Sequence, residues 1–188
     1  THLVKRINMR EQLIKKAEIF PIEFIVRNIA TGSLTKRLGI PEGTNLEKPL
    51  LEYCYKKDEL NDPLISKEHI LSFGWANKKE IEVIDKMTLR INDLLIGMFR
   101  AVGIKLVDFK IEFGRLYKND EIFVVLADEI SPDSCRLWDS QTKQKMDKDV
   151  YRENSGYLLD GYNEVAKRMG LLTQNGTSKN KKPTLVKG

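Results

Sequence analysis

A chain of 188 residues is long enough for one sizeable hydrophobic core, or for one domain with a lobe attached. Its content of 41% apolar and 31% charged residues is typical of a globular protein and argues against wholesale disorder. No apolar run approaches the roughly 18–20 residues that a membrane-spanning helix needs, so the sequence predicts no membrane association.

Cysteine and histidine are scarce in this chain. Cys54 and Cys135 are far apart and form no CxxC motif, which is typical of two unpaired thiols in a reducing cytoplasm. His2 and His69 are too few and too separated for a histidine-based zinc site, and a catalytic Cys–His pair is a remote alternative. We therefore expect a cytoplasmic protein without a zinc centre.

The net charge of +5 suggests nucleic-acid binding at first sight, but the distribution of the charge along the chain argues against it. Residues 173–188 contain four lysines and no acid, so this segment accounts for most of the excess charge. The segment is polar and has no apolar period, which predicts a disordered basic tail. A nucleic-acid role for the tail is the alternative, and a solvated tail is the prediction.

Strand patterns dominate the first part of the chain. Strands are predicted over residues 3–7, 12–17, 20–29 and 49–57. In the third of these, apolar residues alternate with Glu23 and Arg27, which gives one apolar and one charged face. A Thr-Gly-Ser break follows, Ser33 is expected to cap a short helix over 34–38, and residues 41–50 are predicted as loop.

The second part of the chain begins with its clearest helix. Residues 78–102 carry apolar side chains every three or four positions, and Asn77 and Glu80 have capping-box spacing. Further elements are predicted as strands at 105–113 and 121–127, an irregular stretch at 131–148 and a final helix at 156–169 capped by Ser155. This mixture of strands and helices predicts the α+β class.

The stretch at 107–114, VDFKIEFG, is the most informative. The side-chain period of two places Asp108, Lys110 and Glu112 on one face and four apolar residues on the other. The charged residues are then spaced by roughly 6.5–7 Å along the strand. A solvated charge ladder is the ordinary alternative to a functional site.

Asp128 follows the partner strand of a predicted hairpin. A connecting loop of three or five residues would place Asp128 on the face of Lys110 and Glu112, whereas two or four residues would turn it into the core. Two carboxylates with a lysine between them suit Mg²⁺ held against phosphate oxygens. Glu112 and Asp128 are therefore the candidate metal ligands.

Two further stretches carry polar residues in suggestive places. Arg27 ends a strand, and a Gly-Ser turn then opens a helix that bears Lys36 and Arg37, so Ser33 and these cations predict an anion site. A plain helix cap is the alternative. The loop after the hairpin carries Asp133 and Arg136 and predicts a substrate wall, with a surface loop on which Trp138 packs inward as the alternative.

Together these stretches resemble the SAICAR synthetase family of purine biosynthesis. The motifs that carry the resemblance are FPIEFIVRNIATGS at 20–33, VDFKIEFG at 107–114, SPDSCRLWD at 131–139 and MDKDVYRE at 146–153. The resemblance runs from about residue 1 to 171 in consistent order. It implies a two-lobed ATP-binding fold related to ATP-grasp enzymes and kinases, with antiparallel sheets and packed helices.

The resemblance also implies a reaction. Family members condense 5-amino-1-(5-phosphoribosyl)imidazole-4-carboxylate with L-aspartate, and ATP activates the imidazole carboxylate as an acyl phosphate. The products are SAICAR, ADP and phosphate. Such chemistry depends on charge neutralisation and positioning more than on a protein nucleophile, which agrees with a chain that offers no credible triad. The implied partners are these two substrates, ATP and Mg²⁺, with no nucleic acid, and a homodimer in the cytoplasm.

By resemblance, Glu112 and Asp128 are the magnesium and nucleotide-phosphate residues, and Lys110 faces phosphate or the activated carboxylate with Asp108 ordering it. Lys15, Ala17 and Ile19 fall where the interlobe segment meets adenine. The implied ribonucleotide and substrate residues are Arg27, Ser33, Arg136, with Lys36, Arg37, Asp133, Lys148 and Arg152 in support.

The resemblance divides the chain into three parts. Residues 1–18 correspond to the remainder of the N-terminal nucleotide-binding lobe and the interlobe segment, 19–172 to the catalytic domain, and 173–188 to the tail. The family's glycine-rich, lysine-bearing loop has no counterpart here, so we expect these 188 residues alone to bind ATP poorly. The alternatives are a small-molecule kinase of related fold and a nucleotide- or RNA-binding module.

Overall fold

The structure is a computed structural model that describes residues 1–8 and 10–172, so the predicted tail at 173–188 lies outside the described residues. The strands are β1 Leu3–Arg6, β2 Gln12–Ile14, β3 Glu18–Ile19, β4 Ile22–Ile29, β5 Asn45–Tyr55, β6 Leu64–Ile65, β7 Ile104–Lys118, β8 Glu121–Ala127 and β9 Cys135–Asp139. The helices are α1 Ser33–Leu38, α2 Lys67–Ser72, α3 Lys78–Arg100, α4 Asp149–Arg152 and α5 Leu158–Arg168, and a 3₁₀ turn spans Asp58–Leu60.

Strand β7 organises the main sheet. The strand order is β3-β7-β4-β5-β6, and β8 and β9 also pair with β7. All these pairings are antiparallel, and they occupy different parts of the 15-residue β7: β9 and β4 pair with its first half, β8 and β3 with its second. Strands β1 and β2 form a separate two-stranded sheet. The predicted α+β class with antiparallel sheets is confirmed.

The core lies between the sheet and helix α3. Ile81, Ile84 and Leu95 of α3 are buried against the apolar face of the sheet, which includes Phe24 and Phe113 in an edge-to-face contact with 5.3 Å between the ring centroids. The two side chains of the predicted capping box each accept the other residue's backbone N–H, as the spacing of Asn77 and Glu80 predicts. Among the described residues, no helix is long and apolar enough to cross a bilayer.

Three sequence expectations differ from the structure. Residues 45–48, predicted as loop, form the first part of β5, because pairing with β4 continues to Asn45 after a register shift. The stretch predicted as irregular contains β9, which is stabilised by its ladder with β7 rather than by its own composition. The predicted caps Ser33 and Ser155 do not act as caps, since α1 is preceded by Gly32 and α5 begins later, at Leu158.

Candidate active site

A cavity of about 530 Å³ opens over the charged face of β4 and β7, at the side where the 128–136 loop and the start of α4 approach the sheet. The residues predicted from the sequence that line it are Arg27, Ser33, Asp108, Lys110, Asp128, Asp133, Arg136, Lys148 and Arg152. Residues from four separate motifs therefore meet in one place. The solvated-ladder alternative for the 107–114 stretch does not describe this arrangement, because Asp108 and Glu112 are buried.

The first half of the site is a lysine–carboxylate cluster, which we define as Glu23, Lys56, Lys110, Glu112 and Asp128. The Lys110 ammonium lies 3.0 Å from Glu112 Oε1, 3.0 Å from Asp128 Oδ2 and 3.3 Å from Glu23 Oε1. The Lys56 ammonium lies 2.7 and 2.6 Å from the two Glu112 oxygens. The cluster thus holds three carboxylates around two lysines, with an excess of negative charge.

Lys110 and Asp128 stabilise each other's ionised forms. Burial alone would lower the pKa of Lys110, but its hydrogen bonds to Asp128 and Glu112 outweigh burial and raise that pKa above the ordinary value. Burial raises the pKa of Asp128, but the hydrogen bond from Lys110, the positive charge of Lys110 and a backbone hydrogen bond together outweigh burial, so the net shift is downward. Lys110 is therefore a fixed positive charge at neutral pH, and it is not a base.

Strand alternation does not explain why the Asp128 side chain contacts Lys110. The β7–β8 loop has two residues, Asn119 and Asp120, both with positive φ, as in a type I′ hairpin turn. Ala127 then pairs with Glu112, so simple alternation would point Asp128 towards the core. Asp128 lies past the end of β8 and has a φ of 62°, and this left-handed residue breaks the alternation. The contact between Asp128 and Lys110 therefore forms although a two-residue loop, by alternation alone, would direct Asp128 into the core.

The second half of the site is a row of alternating charges, which we call the arginine row: Arg37, Glu52, Arg27, Asp108, Arg136, Asp149 and Arg152. Arg27 uses all three nitrogens of its guanidinium. Its Nε donates to Glu52 at 2.6 Å, one terminal nitrogen to Asp108 at 3.2 Å and the other to the Ser33 hydroxyl at 3.0 Å. Arg37 donates to the second Glu52 oxygen at 2.5 Å.

Arg136 repeats this pattern on the other side of Asp108. Its Nε donates to Asp149 at 2.5 Å, and NH1 donates to the same Asp108 oxygen at 2.8 Å. Arg152 donates to the second Asp149 oxygen at 2.8 Å. The row contains four arginines and three carboxylates, so its excess charge is positive, opposite to that of the lysine–carboxylate cluster.

The turn between β4 and α1 closes on these arginines. Gly32 has φ 57° and ψ −127°, a conformation that side-chain-bearing residues rarely adopt. A Cβ atom at Gly32 would lie 2.9 Å from NH2 of Arg136, so the glycine also makes room for that guanidinium. Because Gly32 precedes the helix, the Ser33 hydroxyl is not engaged in capping and is free to accept from Arg27. The plain-cap alternative is therefore wrong.

Several predicted site residues have contacts other than those expected. Asp108 was expected to order Lys110, but its carboxylate is instead shared by Arg27 and Arg136. Asp133 accepts a hydrogen bond from Tyr162 and lies 3.9 Å from the Lys148 ammonium. Lys36 is exposed, and the cavity lining includes neither Lys36 nor Arg37.

The predicted adenine segment lies beside the second half of β7. Ala17 precedes β3, in which Glu18 and Ile19 pair with Arg115 and Gly114, and the Lys15 backbone N–H donates to the His2 carbonyl. A Cβ at Gly114 would lie 2.9 Å from the Ala17 Cβ, so the glycine of VDFKIEFG lets this segment cross the strand closely. The cavity lining described above does not include the segment.

Sequence reasoning missed five residues that hold the site together: Glu23, Glu52, Lys56, Asp147 and Asp149. The alternation of β4 did indicate Glu23, as a charged residue on the same face of the strand as Arg27. Glu52 and Asp149 carried no such signal, because the arginines whose Nε they bind, Arg27 and Arg136, are 25 and 13 residues away in sequence. Burial raises the pKa of Asp147 to about 6, although its carboxylate accepts the backbone N–H groups of Leu137 and Asp149.

The donor set restricts which cation this site fits. Among residues 1–8 and 10–172, no group of three or more His, Cys, Asp or Glu side chains is arranged to hold a metal ion. A cation bound through one or two carboxylates needs its other ligands from water or phosphate oxygens, which is the usual coordination of Mg²⁺. Glu112 and Asp128 fit that chemistry, since both approach the same ammonium.

Known proteins resemble this chain over nearly all of its length. The family model described as SAICAR synthetase matches residues 1–169. The phosphoribosylaminoimidazole-succinocarboxamide synthase of Pelagibacter ubique is 67% identical over 171 residues, which is 91% of this chain and 66% of that protein. The chain thus spans about two thirds of the length of that relative.

Solved structures agree with this match. The crystal structure of phosphoribosylaminoimidazole-succinocarboxamide synthase from Ehrlichia chaffeensis is 49% identical, with a TM-score of 0.88 over 93% of this chain and 73% of that one. A SAICAR synthetase in complex with ADP is 41% identical, with a TM-score of 0.85 over 96% of this chain and 74% of that one. The predicted resemblance and fold are confirmed, and the chain belongs to the SAICAR synthetase family, the ATP-dependent, amide-forming ligases of purine biosynthesis.

Proposed function

We propose that this chain carries the substrate-binding part of an enzyme that condenses 5-amino-1-(5-phosphoribosyl)imidazole-4-carboxylate with L-aspartate. ATP would activate the imidazole carboxylate as an acyl phosphate, and SAICAR, ADP and phosphate would be the products. The observation that carries this proposal is a pair of adjoining charge clusters of opposite sign, each of which contributes part of its residues to the lining of one cavity. One cluster suits an anionic substrate group, and the other suits a cation with nucleotide phosphates.

The arginine row is the proposed site of the ribonucleotide 5′-phosphate. Arg27, Arg136 and the Ser33 hydroxyl converge at the Gly32–Ser33 turn, and guanidinium groups match phosphate geometry. The row has a positive excess before any ligand binds, so a phosphate would complete its charge balance. Lys36 and Arg37 would support this site through their charge rather than through direct contact.

The lysine–carboxylate cluster is the proposed site of magnesium and the nucleotide phosphates. Glu112 and Asp128 would hold Mg²⁺, which when bound neutralises phosphate charge in the reacting region. The segment with Lys15, Ala17 and Ile19 would contact adenine, and a similar SAICAR synthetase is described in complex with ADP. Residues 1–18 would then belong to the nucleotide-binding lobe and interlobe segment, and 19–172 to the catalytic domain.

The protein's own residues would act by charge and position. Lys110, held protonated by Asp128 and Glu112, would stabilise negative charge on the phosphoryl group or on the activated carboxylate. Asp108 would act indirectly, since it fixes both phosphate-binding arginines. Asp133, Lys148 and Arg152 line the outer part of the cavity, where they would contact the substrates. We expect the whole protein to work as a cytoplasmic homodimer without nucleic acid.

Aspartate-dependent release of ADP from the whole protein, with the imidazole ribonucleotide present, tests this proposal. ADP release should require both the ribonucleotide and L-aspartate. Release that needs no aspartate would instead favour a small-molecule kinase. Deletion of residues 173–188 distinguishes the ligase from the alternative of a nucleic-acid-binding module. A module that binds through the basic tail would lose its binding, whereas the ligase would keep its rate.

A further inference from the structure

We propose that Glu52 and Asp149 are a matched pair of positioning residues, which fix Arg27 and Arg136 before the ribonucleotide binds. Each acid accepts a hydrogen bond from the Nε of one arginine. Glu52 accepts from Arg27 at 2.6 Å, and Asp149 accepts from Arg136 at 2.5 Å. Both arginines donate NH1 to the same oxygen of Asp108. This inference rests on the proposed phosphate site and extends it to residues that touch no substrate.

The shared pattern leaves the same atom of each arginine pointing to one place. With Nε and NH1 engaged, NH2 of Arg27 donates to Ser33, and NH2 of Arg136 lies against Gly32. Both outer nitrogens therefore meet at the same turn. A guanidinium held at two of its three nitrogens has little freedom left, so the cost of ordering it is met in the folded protein rather than on binding.

Charge makes the two acids necessary. Asp108 alone would have to hold two guanidinium groups whose positive charges repel each other. Glu52 and Asp149 have side chains only 8% and 7% exposed, so their attraction for the arginines is weakly screened by solvent. Each acid also binds a further arginine, Arg37 or Arg152, and this uses its second oxygen.

The acids are themselves held firmly by the backbone. Glu52 lies in β5, where its residue pairs with Ile25 of the central strand β4. The backbone N–H of Asp149 donates to one oxygen of Asp147 at 2.8 Å, and the other oxygen accepts from Leu137 N–H at 2.7 Å. Asp147 thereby joins α4, which carries Asp149, to β9, which carries Arg136.

The test uses Glu52→Gln and Asp149→Asn in the whole protein, with the ribonucleotide and with the same nucleoside lacking its 5′-phosphate. Each variant should raise KM for the ribonucleotide by about 10- to 100-fold, because a hydrogen bond to a charged group is weakened. KM for ATP should stay within about twofold. The kcat/KM for the nucleoside should not change, because that substrate makes no use of the positioned nitrogens. A merely structural role would affect both substrates equally and would overturn the proposal.

Glu153→Gln is the matched control, because Glu153 also bridges to a cation, Lys145, but lies outside this cavity. It should change neither KM. Arg27→Lys and Arg136→Lys distinguish the assignment of the phosphate site from the positioning role of the two acids. If these leave the preference for the phosphorylated substrate intact, the phosphate assignment itself is wrong. If they remove that preference while the acid variants keep it, only the positioning role is wrong.

A measurement on the unmutated protein covers the case in which an acid variant fails to fold. The Nε–H groups of Arg27 and Arg136 should give separate, exchange-protected NMR signals before any ribonucleotide is added. The two arginine-to-lysine variants assign these signals. Nε–H signals that exchange rapidly with solvent until the ribonucleotide is added would overturn pre-positioning.

Discussion

The two charge clusters on the face of β7 are opposite in composition. In the lysine–carboxylate cluster, three carboxylates surround two lysines, and in the arginine row four arginines alternate with three carboxylates. Asp108 belongs to one and Lys110 to the other, although they are only two residues apart. Adjacent same-face positions on one strand, roughly 6.5–7 Å apart, thus serve sites of opposite sign.

The difference shows how one strand can separate two kinds of ligand charge. In the proposed function, the cluster with negative excess would attract a hard cation, and the row with positive excess would attract a phosphate. The type of cation differs accordingly: lysine supplies a compact charge among oxygens that a metal can share, whereas arginine supplies fixed, planar donors. Substitutions in each cluster should therefore change different kinetic parameters.

The largest effect is expected for Glu112→Gln, which removes the charge of the carboxylate shared by Lys56 and Lys110. The variant should lower kcat by about 10²- to 10³-fold, because charge developing in the transition state loses its organised surroundings. Aspartate-dependent ADP release measures this. Glu121→Gln, an exposed carboxylate on the neighbouring strand, is the control and should keep its rate. A Glu112→Gln variant with more than about a tenth of the normal kcat contradicts the assignment.

Arg27→Ala should act on binding instead of turnover. It removes a guanidinium that contacts Glu52, Asp108 and Ser33, so KM for the ribonucleotide should rise by about 100-fold while kcat at saturation changes little. Because two buried carboxylates lose a partner, the free energy of unfolding should also fall, by about 3–5 kcal/mol. Steady-state kinetics and chemical denaturation measure both. A change confined to kcat would remove the proposed contrast between the clusters.

Gly32→Ala tests whether the turn before α1 is needed to place Arg136 for ribonucleotide binding. The added Cβ would lie 2.9 Å from Arg136 NH2 in a strained conformation, so KM for the ribonucleotide should rise by about tenfold and stability should fall by about 1–3 kcal/mol. Gly39→Ala is a close control, since Gly39 also has a positive φ but no atom within 4 Å of its Cβ position. It should cost stability only. Equal effects on KM would show that strain, and not the arginine, explains the result.

The smallest effect is expected for an ion pair outside both clusters. Glu80 accepts two hydrogen bonds from Arg115. These hydrogen bonds are the main reason why the pKa of Glu80 lies below the ordinary 4.5. Its stabilising contribution is therefore present above about pH 4.5 and is lost as pH falls through the lower, folded-state pKa. Glu80→Gln should lower the free energy of unfolding at pH 7 by about 1–2 kcal/mol.

Thermal melts of both proteins from pH 7 to pH 3 measure this difference, which should shrink below pH 4.5. The kinetic constants of Glu80→Gln should equal those of the unmutated protein. A raised KM for either substrate would mean that long-range electrostatics, rather than local contacts, distinguishes the two clusters.

The sequence by itself determined the elements with a strong period and the residues with a chemical signature. Helix α3 follows from its apolar spacing and its capping box, and the polar face of β7 follows from simple alternation. Motif order was sufficient to place Arg27, Ser33, Lys110, Asp128 and Arg136 in one family pattern. These features depend on neighbours close in the chain, which is why they can be read from it.

Only the tertiary structure decided how the charges pair. Strand β9 and the start of β5 exist because β7 and β4 offer them hydrogen-bond partners. Asp108 binds arginines rather than Lys110, and Asp128 meets Lys110 through a left-handed residue that alternation does not foresee. Glu52 and Asp149 acquire their partners from strands and loops distant in sequence. Long-range pairing of buried charges depends on three-dimensional proximity, and no local pattern encodes it.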